Sequence, residues 1–364
     1  MSDQVSCIVV NYFCAPLTLR AARSFFEQCP DGQLLVVDNS TNALEADALR
    51  AGLPTGARLI EPGSNTGFAT ACNLAFEYCD HDFVLLLNPD ALLAQHCVKH
   101  LLQTMQAQRD LGAVSPLQFW DQAHNWLLPA TWRPTGIGMW SLAYALQSSR
   151  NAQRLSMAYR ALALPLWTPS DLSTVTQRAL SGGLLMVRRA AVASVGQLFD
   201  PTFFMYYEDS DLCLRLRRKG WRLAIDKRAT AVHEWLNADH KEPLMSASHA
   251  KYFAMHYHGR GQWEKRIKRL SPDRNLSNPL GAQGLARGTQ ALDVPEPWQH
   301  GWLLEVSPSN LMIPALAMPG SGPVIRLDWS LLARLGEHKR LFMRLGPAYH
   351  AASNTQVFVV APKS

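Results

Sequence analysis

The stretch that decides the fold is DFVLLLNPDA, residues 82–91. A strand is predicted over 82–91, because the unbroken apolar run FVLLL is typical of a strand buried on both faces, as strands are in a parallel sheet covered by helices. Proline has no backbone N–H and cannot continue a strand ladder, so Pro89 predicts that the strand stops there. Asp90 is then left at the exit of the strand.

The segments on either side repeat this pattern, in which short apolar runs alternate with stretches of helical spacing. Strands are predicted at 6–12, 33–40, 57–61 and 111–117, and helices at 16–29, 43–52, 66–79 and 94–110. This β-α-β-α order predicts an α/β fold whose mostly parallel sheet carries helices on both faces.

The rest of the chain is predicted to return to the sheet and then to leave it. Residues 118–178, rich in Trp and Pro, are predicted as an irregular excursion over the active face. The elements predicted after it are a strand at 182–189, helices at 190–196 and 209–220, two short strands at 221–226 and 229–235, and a helical stretch at 246–270. The predicted domains are a main domain over 1–270, a polar linker over 271–297 rich in Gly and Pro, and a small β-rich accessory domain over 298–364.

The composition restricts the partners and the compartment. The 35 basic and 29 acidic side chains give a charge of +6, which suits nucleotide diphosphates or acidic lipid headgroups; no nucleic-acid partner is expected. Seven cysteines without a CxxC pair indicate reduced core thiols in a cytoplasmic protein. We expect no signal peptide and no membrane span, since neither pattern is found in the sequence.

Polar side chains follow the predicted strands where each of them ends. In an open parallel sheet ligands bind at that edge. Asp38 could accept hydrogen bonds from a nucleobase or a ribose, or make an Asx turn. Gly67 opens a helix whose N–H groups could hold a phosphate, or it is an ordinary helix start. Asp90 could bind a divalent ion that bridges two phosphates, or cap the next helix; His233 could complete such a site, or be a core residue.

The sequence YYEDSD, residues 206–211, places three carboxylates at a predicted helix start. Glu208, Asp209 and Asp211 repel one another there, which a catalytic base or a helix cap would each explain. Asp211 stands four residues before Arg215, so this pair can support the helix. Neighbouring charge from Glu208 and Asp211 is expected to raise the pKa of Asp209.

Seven segments, taken in order, resemble the family 2 inverting glycosyltransferases of GT-A, Rossmann-like fold, and among them the rhamnosyltransferase-like members that build bacterial surface polysaccharides. These segments are IVVNY, VVDNST, NTGFATACN, LLLNPDA, SGGLLMVRRAAVASVGQLFD, FFMYYEDSDLCLRLRRKGW and AVHEW, and the likeness covers about residues 4–260. The resemblance implies transfer of a sugar from a nucleotide-diphosphate donor to a saccharide or lipid-linked saccharide acceptor. The donor it favours is dTDP-rhamnose, with a UDP-linked hexose as the alternative.

The resemblance also assigns roles to individual residues. It implies a nucleotide-sugar pocket formed by Asn11, Tyr12, Asp38, Asn65, Gly67, Asn73 and Asn88. Asn88-Pro89-Asp90 stands where the family has a DXD motif, so that Asp90, with His233, would hold Mg²⁺ or Mn²⁺. Asp209 matches the catalytic base, and Glu208 is expected to contact or orient the acceptor.

Two other functions and a membrane hypothesis stay open. A sugar nucleotidyltransferase would need a basic Gly-rich loop after the first strand, where the sequence reads NYFCAPLTLR. A non-catalytic scaffold would not need Asp38, Asp90, Asp209 and His233 together. GRGQWEKRIKRL, residues 259–270, is either an ordinary surface helix or a contact with the inner face of the cytoplasmic membrane.

Overall fold

The computed structural model describes residues 5–132, 134–234, 241–259, 262–270, 276–336, 338–349 and 354–362. It divides the chain into two compact units. The first contains Met1–Gln122 and Leu172–Met255, and the second contains Ala123–Asp171 and His256–Ser364. Residues 123–171 therefore group with the C-terminal region, a division that differs from the predicted domain boundaries.

A nine-stranded sheet organises the first unit. Its strands are β1 Val5–Asn11, β2 Gln33–Asp38, β3 Arg58–Ile60, β4 Phe83–Leu87, β5 Ala91–Leu93, β6 Leu111–Phe119, β7 Thr174–Gln177, β8 Leu184–Arg188 and β9 Arg222–His233. The order is β3-β2-β1-β4-β8-β6-β9-β5, with β7 paired to β9. Strands β1 to β4, β6 and β9 run in one direction, and β5, β7 and β8 run against them, which confirms the predicted mostly parallel sheet.

Helices follow most of these strands. In chain order they are α1 Ala15–Phe26, α2 Ala43–Gly52, α3 Gly67–Phe76, α4 Cys97–Ala107, α5 Gly136–Ala145, α6 Ser149–Trp167, α7 Arg189–Ser194, α8 Glu208–Arg218, α9 Lys241–Tyr257, α10 Trp263–Lys268 and α11 Trp329–Leu332. Helices α1 and α4 pack with alternate residues of β1, β2 and β4 into one core, whereas α3 packs on β1 and β2 outside that core. No helix in the described part of the chain has the length and hydropathy that crossing a bilayer requires.

The second unit contains its own sheet, which confirms the predicted β-rich C-terminal region. Its strands are β10 Gln283–Leu285, β11 Ala291–Asp293, β12 Trp302–Ser307, β13 Leu316–Gly320, β14 Val324–Arg326, β15 Leu341–Pro347 and β16 Gln356–Val360. Five of them form a sheet in the order β10-β16-β15-β12-β13, and β11 pairs with β14.

Three sequence predictions are wrong at the level of secondary structure. The excursion over 118–178 is not irregular, because it contains α5 and the 19-residue α6. The linker over 271–297 contributes β10 and β11 to the C-terminal pairings; its first five residues lie outside the described residues. The two short strands predicted over 221–235 are one strand, β9, with an irregularity where Asp226 and Thr230 pair with successive residues of β6.

Candidate active site

Asp38 lies at the end of β2, opposite the end of β1. The sheet register pairs it with Asn11, whose amide donates to Asp38 Oδ1 at 2.9 Å and to Glu45 Oε2 at 3.0 Å. The same Oδ1 accepts the backbone N–H of Ser40 at 3.0 Å, which is the Asx turn. Asp38 also lines an open cavity of about 240 Å³. Asn11 is 0% exposed, so it positions Asp38 and does not face the cavity itself.

An exposed aromatic turn follows β1. The rings of Tyr12 and Phe13 meet edge to face with centroids 4.9 Å apart, and the residues are 50% and 54% exposed. Phe13 has a φ of +51°, and its N–H donates to the hydroxyl of Ser40 at 2.8 Å. The turn therefore holds two rings in solvent close to Asp38, where a planar base could stack.

The start of α3 is occupied by protein contacts. The N–H groups of Thr66, Gly67 and Phe68 donate to Asn39, Asn65 and the carbonyl of Phe204, respectively. These bonds leave the three N–H groups without capacity for a phosphate, so the structure favours the ordinary helix start over the phosphate site.

Gly67 has a structural reason to be glycine. Its φ is +79°, and a β-carbon there would lie 2.5 Å from the carbonyl oxygen of Phe204.

Asn73 binds a backbone segment through both ends of its side chain. Its amide donates to the carbonyl of Phe199 at 2.8 Å, and its oxygen accepts the N–H of Phe199 at 3.0 Å. Both ends of the side chain are therefore used to fix the segment that leads to α8. Asn65, by contrast, is exposed beside the start of α3.

Asp90 and His233 meet because the start of β5 pairs with the end of β9. Ala91 of β5 pairs with His233 of β9, which puts the preceding residue, Asp90, beside the histidine. His233 Nε2 lies 3.2 Å from Asp90 Oδ1, and both side chains are largely buried. Asp90 precedes the strand β5, so the alternative that it caps a helix does not apply.

A chain of hydrogen bonds fixes which ring nitrogen of His233 carries a hydrogen. Ser115 donates its hydroxyl to the carbonyl of Leu184 and accepts the amide N–H of Gln118 at 3.0 Å. Gln118 Oε1 must then accept the Nδ1–H of His233, at 2.9 Å. In the neutral ring, Nε2 therefore directs its lone pair towards the Asp90 carboxylate. Two acceptors at that separation repel each other, so the position between them suits a cation.

This donor set fits a divalent metal ion that is shared with a substrate. An imidazole held by a partner on its other nitrogen and a carboxylate are common metal ligands. Among the described residues no cluster of three or more His, Cys, Asp or Glu side chains could hold a metal ion. Mg²⁺ and Mn²⁺ are often bound by one or two protein ligands plus phosphate oxygens, which Asp90 and His233 could provide.

Gly182 and Gly183, just before β8, join the two halves of the site. The N–H of Gly182 donates to Asp209 Oδ2 at 3.0 Å. A β-carbon on Gly183 would lie 2.6 Å from Nδ2 of Asn88 and 2.9 Å from Cε1 of His233. Given standard backbone dimensions, these contacts put the Asp209 carboxyl within roughly 12 Å of the His233 ring. The structure thus brings Asn88, His233 and Asp209 together around the glycine pair.

Asp209 sits in the first turn of α8 with a raised pKa. Burial is the main cause, and the N–H groups of Gly182 and Ser210 oppose it by donating to the carboxylate. The direction agrees with the sequence prediction, but the cause differs. The charge of Asp211 is neutralised by Arg215, with which it forms a 2.7 Å ion pair. The same guanidinium donates to the carbonyls of Gln197 and Leu198. Asp211 therefore supports the helix, as predicted.

Glu208 is a buried carboxyl group without a full set of partners. It is 5% exposed, and its Oε2 has no hydrogen-bond partner. Burial, followed by the neighbouring Asp209, raises the pKa of Glu208 well above its usual range. A buried oxygen of this kind either keeps a proton or awaits a donor from a bound molecule.

The pKa of Glu208 predicts a pH-dependent stability. Above about pH 4.3, the unfolded chain releases this proton while the folded protein keeps it, so the free energy of unfolding falls as pH rises until the folded-state pKa is passed. We expect Glu208→Gln to match wild type at low pH and to become progressively more stable than wild type as pH rises. Thermal unfolding of both proteins across this range measures the difference. A difference that is constant with pH would contradict the protonation argument.

The sequence interpretation missed three features of the site. Gln118 gave no pattern that distinguishes it from other polar residues of β6. Gly182 and Gly183 received no role from the sequence, although a glycine pair before a buried strand can indicate the close approach of other groups. Tyr206 and Tyr207 have φ values of +69° and +68°, a strained pair directly ahead of the carboxylates that their types do not predict.

The comparison with known families agrees with this geometry. The model of the family described as "Glycosyltransferase like family 2" matches residues 4–269, most of the chain. The chain belongs to this family. The match confirms the resemblance and, with the sheet, the predicted glycosyltransferase fold.

Individual proteins that resemble this glycosyltransferase share less than a third of its sequence. It is 28% identical over 262 residues to proteins from two strains of Mycobacterium tuberculosis named "N-acetylglucosaminyl-diphospho-decaprenol L-rhamnosyltransferase", covering 68% of this chain and 81% of theirs. It is 22% identical over 239 residues to "Low-salt glycan biosynthesis hexosyltransferase Agl10" of Haloferax volcanii, covering 64% of this chain and 68% of that protein. A mannosyltransferase from Pyrobaculum calidifontis, solved with GDP-Man and Mn²⁺, aligns with a TM-score of 0.44 at 17% identity, covering 73% of each chain.

Proposed function

We propose that this glycosyltransferase moves L-rhamnose from dTDP-rhamnose to a saccharide or lipid-linked saccharide in the synthesis of a bacterial surface polysaccharide. The observation that carries the proposal is the glycine pair, Gly182–Gly183, which holds Asp209 on one side and Asn88 with His233 on the other. A base and a metal-type ligand pair held near each other by adjacent residues are what sugar transfer from a nucleotide diphosphate requires. The sugar is chosen by similarity to the mycobacterial rhamnosyltransferases.

Asp38 and the exposed turn Tyr12–Phe13 would bind the nucleotide. Asp38 lines the 240 Å³ cavity and its carboxyl group is held in place by Asn11, while the two rings offer a stacking surface close to it. Asn65 and Asn88 would contact the sugar of the donor. Asn73 and Gly67 act indirectly, by fixing the segment 199–204.

Asp90 and His233 would hold Mg²⁺ or Mn²⁺. When bound, such an ion offsets the negative charge that develops on the departing diphosphate. The contribution of the protein is to keep His233 Nε2 and Asp90 Oδ1 aimed at one point, because Gln118 holds the opposite ring nitrogen.

Asp209 would accept the proton of the attacking acceptor hydroxyl. Its two oxygens receive N–H bonds from Gly182 and Ser210, which orient the group, while burial keeps its pKa higher than that of an exposed aspartate and so improves it as a base. Attack opposite the leaving diphosphate in a single displacement inverts the anomeric centre. Glu208, buried alongside, could accept or donate a hydrogen bond to the acceptor.

A donor panel tests the proposal. Thermal shift with dTDP-rhamnose and UDP-hexoses, each with and without Mn²⁺ or Mg²⁺, reports binding, and incubation with a lipid-linked GlcNAc-diphosphate analogue reports transfer. We expect the largest shift with dTDP-rhamnose plus metal, release of dTDP, and an inverted product by NMR. Preference for a UDP-hexose would replace the donor, pyrophosphate release would indicate a nucleotidyltransferase, and neither binding nor turnover would indicate a scaffold.

Gln118→Leu should weaken the binding of the metal ion. Removing the acceptor of the His233 Nδ1–H frees the ring to rotate and to change tautomer, and loss of such a partner typically lowers metal affinity about 10–100-fold. Titration calorimetry of Mn²⁺ in the presence of dTDP measures the affinity directly. Gln177→Leu, on β7, is the matched control and should bind Mn²⁺ as wild type does; equal affinities in both variants would refute the role of Gln118.

A further inference from the structure

Helix α5, GIGMWSLAYA, is apolar on all sides and yet lies at the surface of the second unit. A helix of this composition is ordinarily buried. In α5 the buried residues are Gly136 and Ala145, whereas Ile137 and Tyr144 are 54% and 42% exposed. Residues 134–149 contain no charged side chain. Whatever covers this helix must therefore accept an apolar surface.

A basic helix, α10, packs beside it. Gly136 allows the contact, because a β-carbon there would overlap the ring of Trp263. Lys265, Arg266 and Lys268 are all exposed, and Arg266 lies with its guanidinium 5.0 Å from the Trp263 ring centroid. Residues 262–270 contain four basic side chains and one acidic, a net charge of +3.

Aromatic side chains complete this surface. Trp140 and Tyr144, one turn apart on α5, stack with ring centroids 4.8 Å apart. Rings of this type, apolar with one polar atom, are enriched at the level of lipid headgroups. Ten residues of helix extend over only about 15 Å, too short to cross a bilayer but sufficient to lie in its interface.

We propose that α5 and α10 form a docking surface for an anionic membrane, with α5 lying in the boundary between headgroups and acyl chains and α10 contacting the phosphates. Charge complementarity decides the occupant: a second copy of this chain would place +3 against +3, whereas anionic lipid neutralises it. This inference deepens the proposed function, since a lipid-linked acceptor lies at such a surface. The residues that support it, however, belong to the second unit, whereas those of the candidate active site belong to the first.

Co-sedimentation of the full chain with lipid vesicles tests the proposal. Vesicles of phosphatidylcholine, with and without phosphatidylglycerol, are compared at low and high salt. We expect binding to the anionic vesicles at low salt. The triple variant Lys265→Gln/Arg266→Gln/Lys268→Gln should bind about 100-fold more weakly, from roughly fivefold per charge. Ile137→Ser/Tyr144→Ser should lose at least about tenfold by removing apolar contact.

Matched variants elsewhere control for charge and exposure. Arg23→Gln/Lys99→Gln/Arg109→Gln removes the same charge from exposed positions of the first unit, and Leu44→Ser/Leu172→Ser removes two exposed apolar side chains, 80% and 57% exposed. Both controls should bind vesicles as wild type does, and thermal unfolding verifies that all variants fold.

Three outcomes overturn the proposal: no binding to anionic vesicles, equal loss in the control variants, or a dimer in solution that Ile137→Ser/Tyr144→Ser converts to monomer. The last would assign α5 to self-association. The vesicles contain no donor and no acceptor, so this result does not depend on the sugar transferred. Conversely, turnover of a water-soluble acceptor analogue tests the proposed function without a membrane.

Discussion

Replacing Asp209 with Asn is expected to lower kcat by about 10²–10⁴-fold, the usual contribution of a positioned base. The amide has nearly the shape of the carboxyl group, and its oxygen can still accept the N–H of Gly182. The bond from Ser210 is lost, but it is local to the first turn of α8, so the fold should persist. The affinity for the nucleotide-sugar donor should not change, because Asp209 acts on the acceptor. Steady-state kinetics with the donor and acceptor at saturation measure the loss.

The pH profile gives the same test a second readout. Because the ionised carboxylate is the active form, wild-type activity should rise with pH through the raised pKa of Asp209. In Asp209→Asn, kcat should be low and should no longer rise with pH in this range.

Asp211→Asn is the contrasting control, two residues away on the same helix. It breaks the ion pair with Arg215, of which Asp211 is the buried member at 1% side-chain exposure. We expect a lower free energy of unfolding, by about 1.5–3 kcal/mol as for other hydrogen bonds to charged groups, with kcat per folded molecule retained. If Asp209→Asn keeps more than a tenth of wild-type activity, or if Asp211→Asn abolishes turnover while remaining folded, the assignment of the base is wrong.

Asp90→Asn is expected to lower kcat about 100-fold or more and to weaken the binding of Mn²⁺. The carboxylate faces His233 Nε2 at 3.2 Å, and its removal takes away the charged member of the proposed ligand pair. Calorimetric titration of Mn²⁺ in the presence of dTDP gives the affinity independently of turnover. Raising Mn²⁺ should restore part of the lost activity, since the metal is held more weakly and not excluded.

Asp82→Asn is the matched control, because Asp82 lies exposed at the opposite end of β4. It should bind Mn²⁺ and turn over substrate as wild type does. An Asp90→Asn enzyme with an unchanged response to Mn²⁺ would show that the Asp90–His233 pair is a salt bridge and not a metal site.

The first half of the sheet could be predicted from the sequence because each element there has one consistent pattern. The strand around 83–87 is apolar throughout, and the ends of α2 coincide with the prediction at 43–52 because Asn42 caps it and Gly52 ends it. The same regularity placed Asp38, Asp90 and His233 at strand ends, where the structure has them.

The second unit could not be predicted in the same way because several of its elements give no clear sequence pattern. Helix α5 is apolar on every face, so no alternation marks it, and α6 contains Pro165 near its end. The strands β10 and β11 are three residues each within a polar segment, and their pairing partners are distant in sequence. Such elements are defined by tertiary contacts.

Within the site, the residue types indicated the chemistry but not which side chains hydrogen-bond to one another. The resemblance assigns Asn11, Asn73 and Gly67 to the nucleotide-sugar pocket, and the structure shows in addition that each one fixes a neighbouring segment. Gln118 stayed unnoticed because its importance depends on a hydrogen bond to a residue 115 positions away.

The Gly182–Gly183 pair implies that Asp209 and His233, the proposed base and one of the proposed metal ligands, cannot move independently of each other. The two side chains contact adjacent residues, Gly182 and Gly183, respectively. The position of these glycines depends on the pairing of Leu87 with Leu184 in the neighbouring strands β4 and β8. A shift in the register of these two strands would move the proposed proton acceptor and the proposed metal ligands together. Substitutions that alter the sugar preference are therefore expected outside β4 and β8, with the distance between Asp209 and His233 left constant.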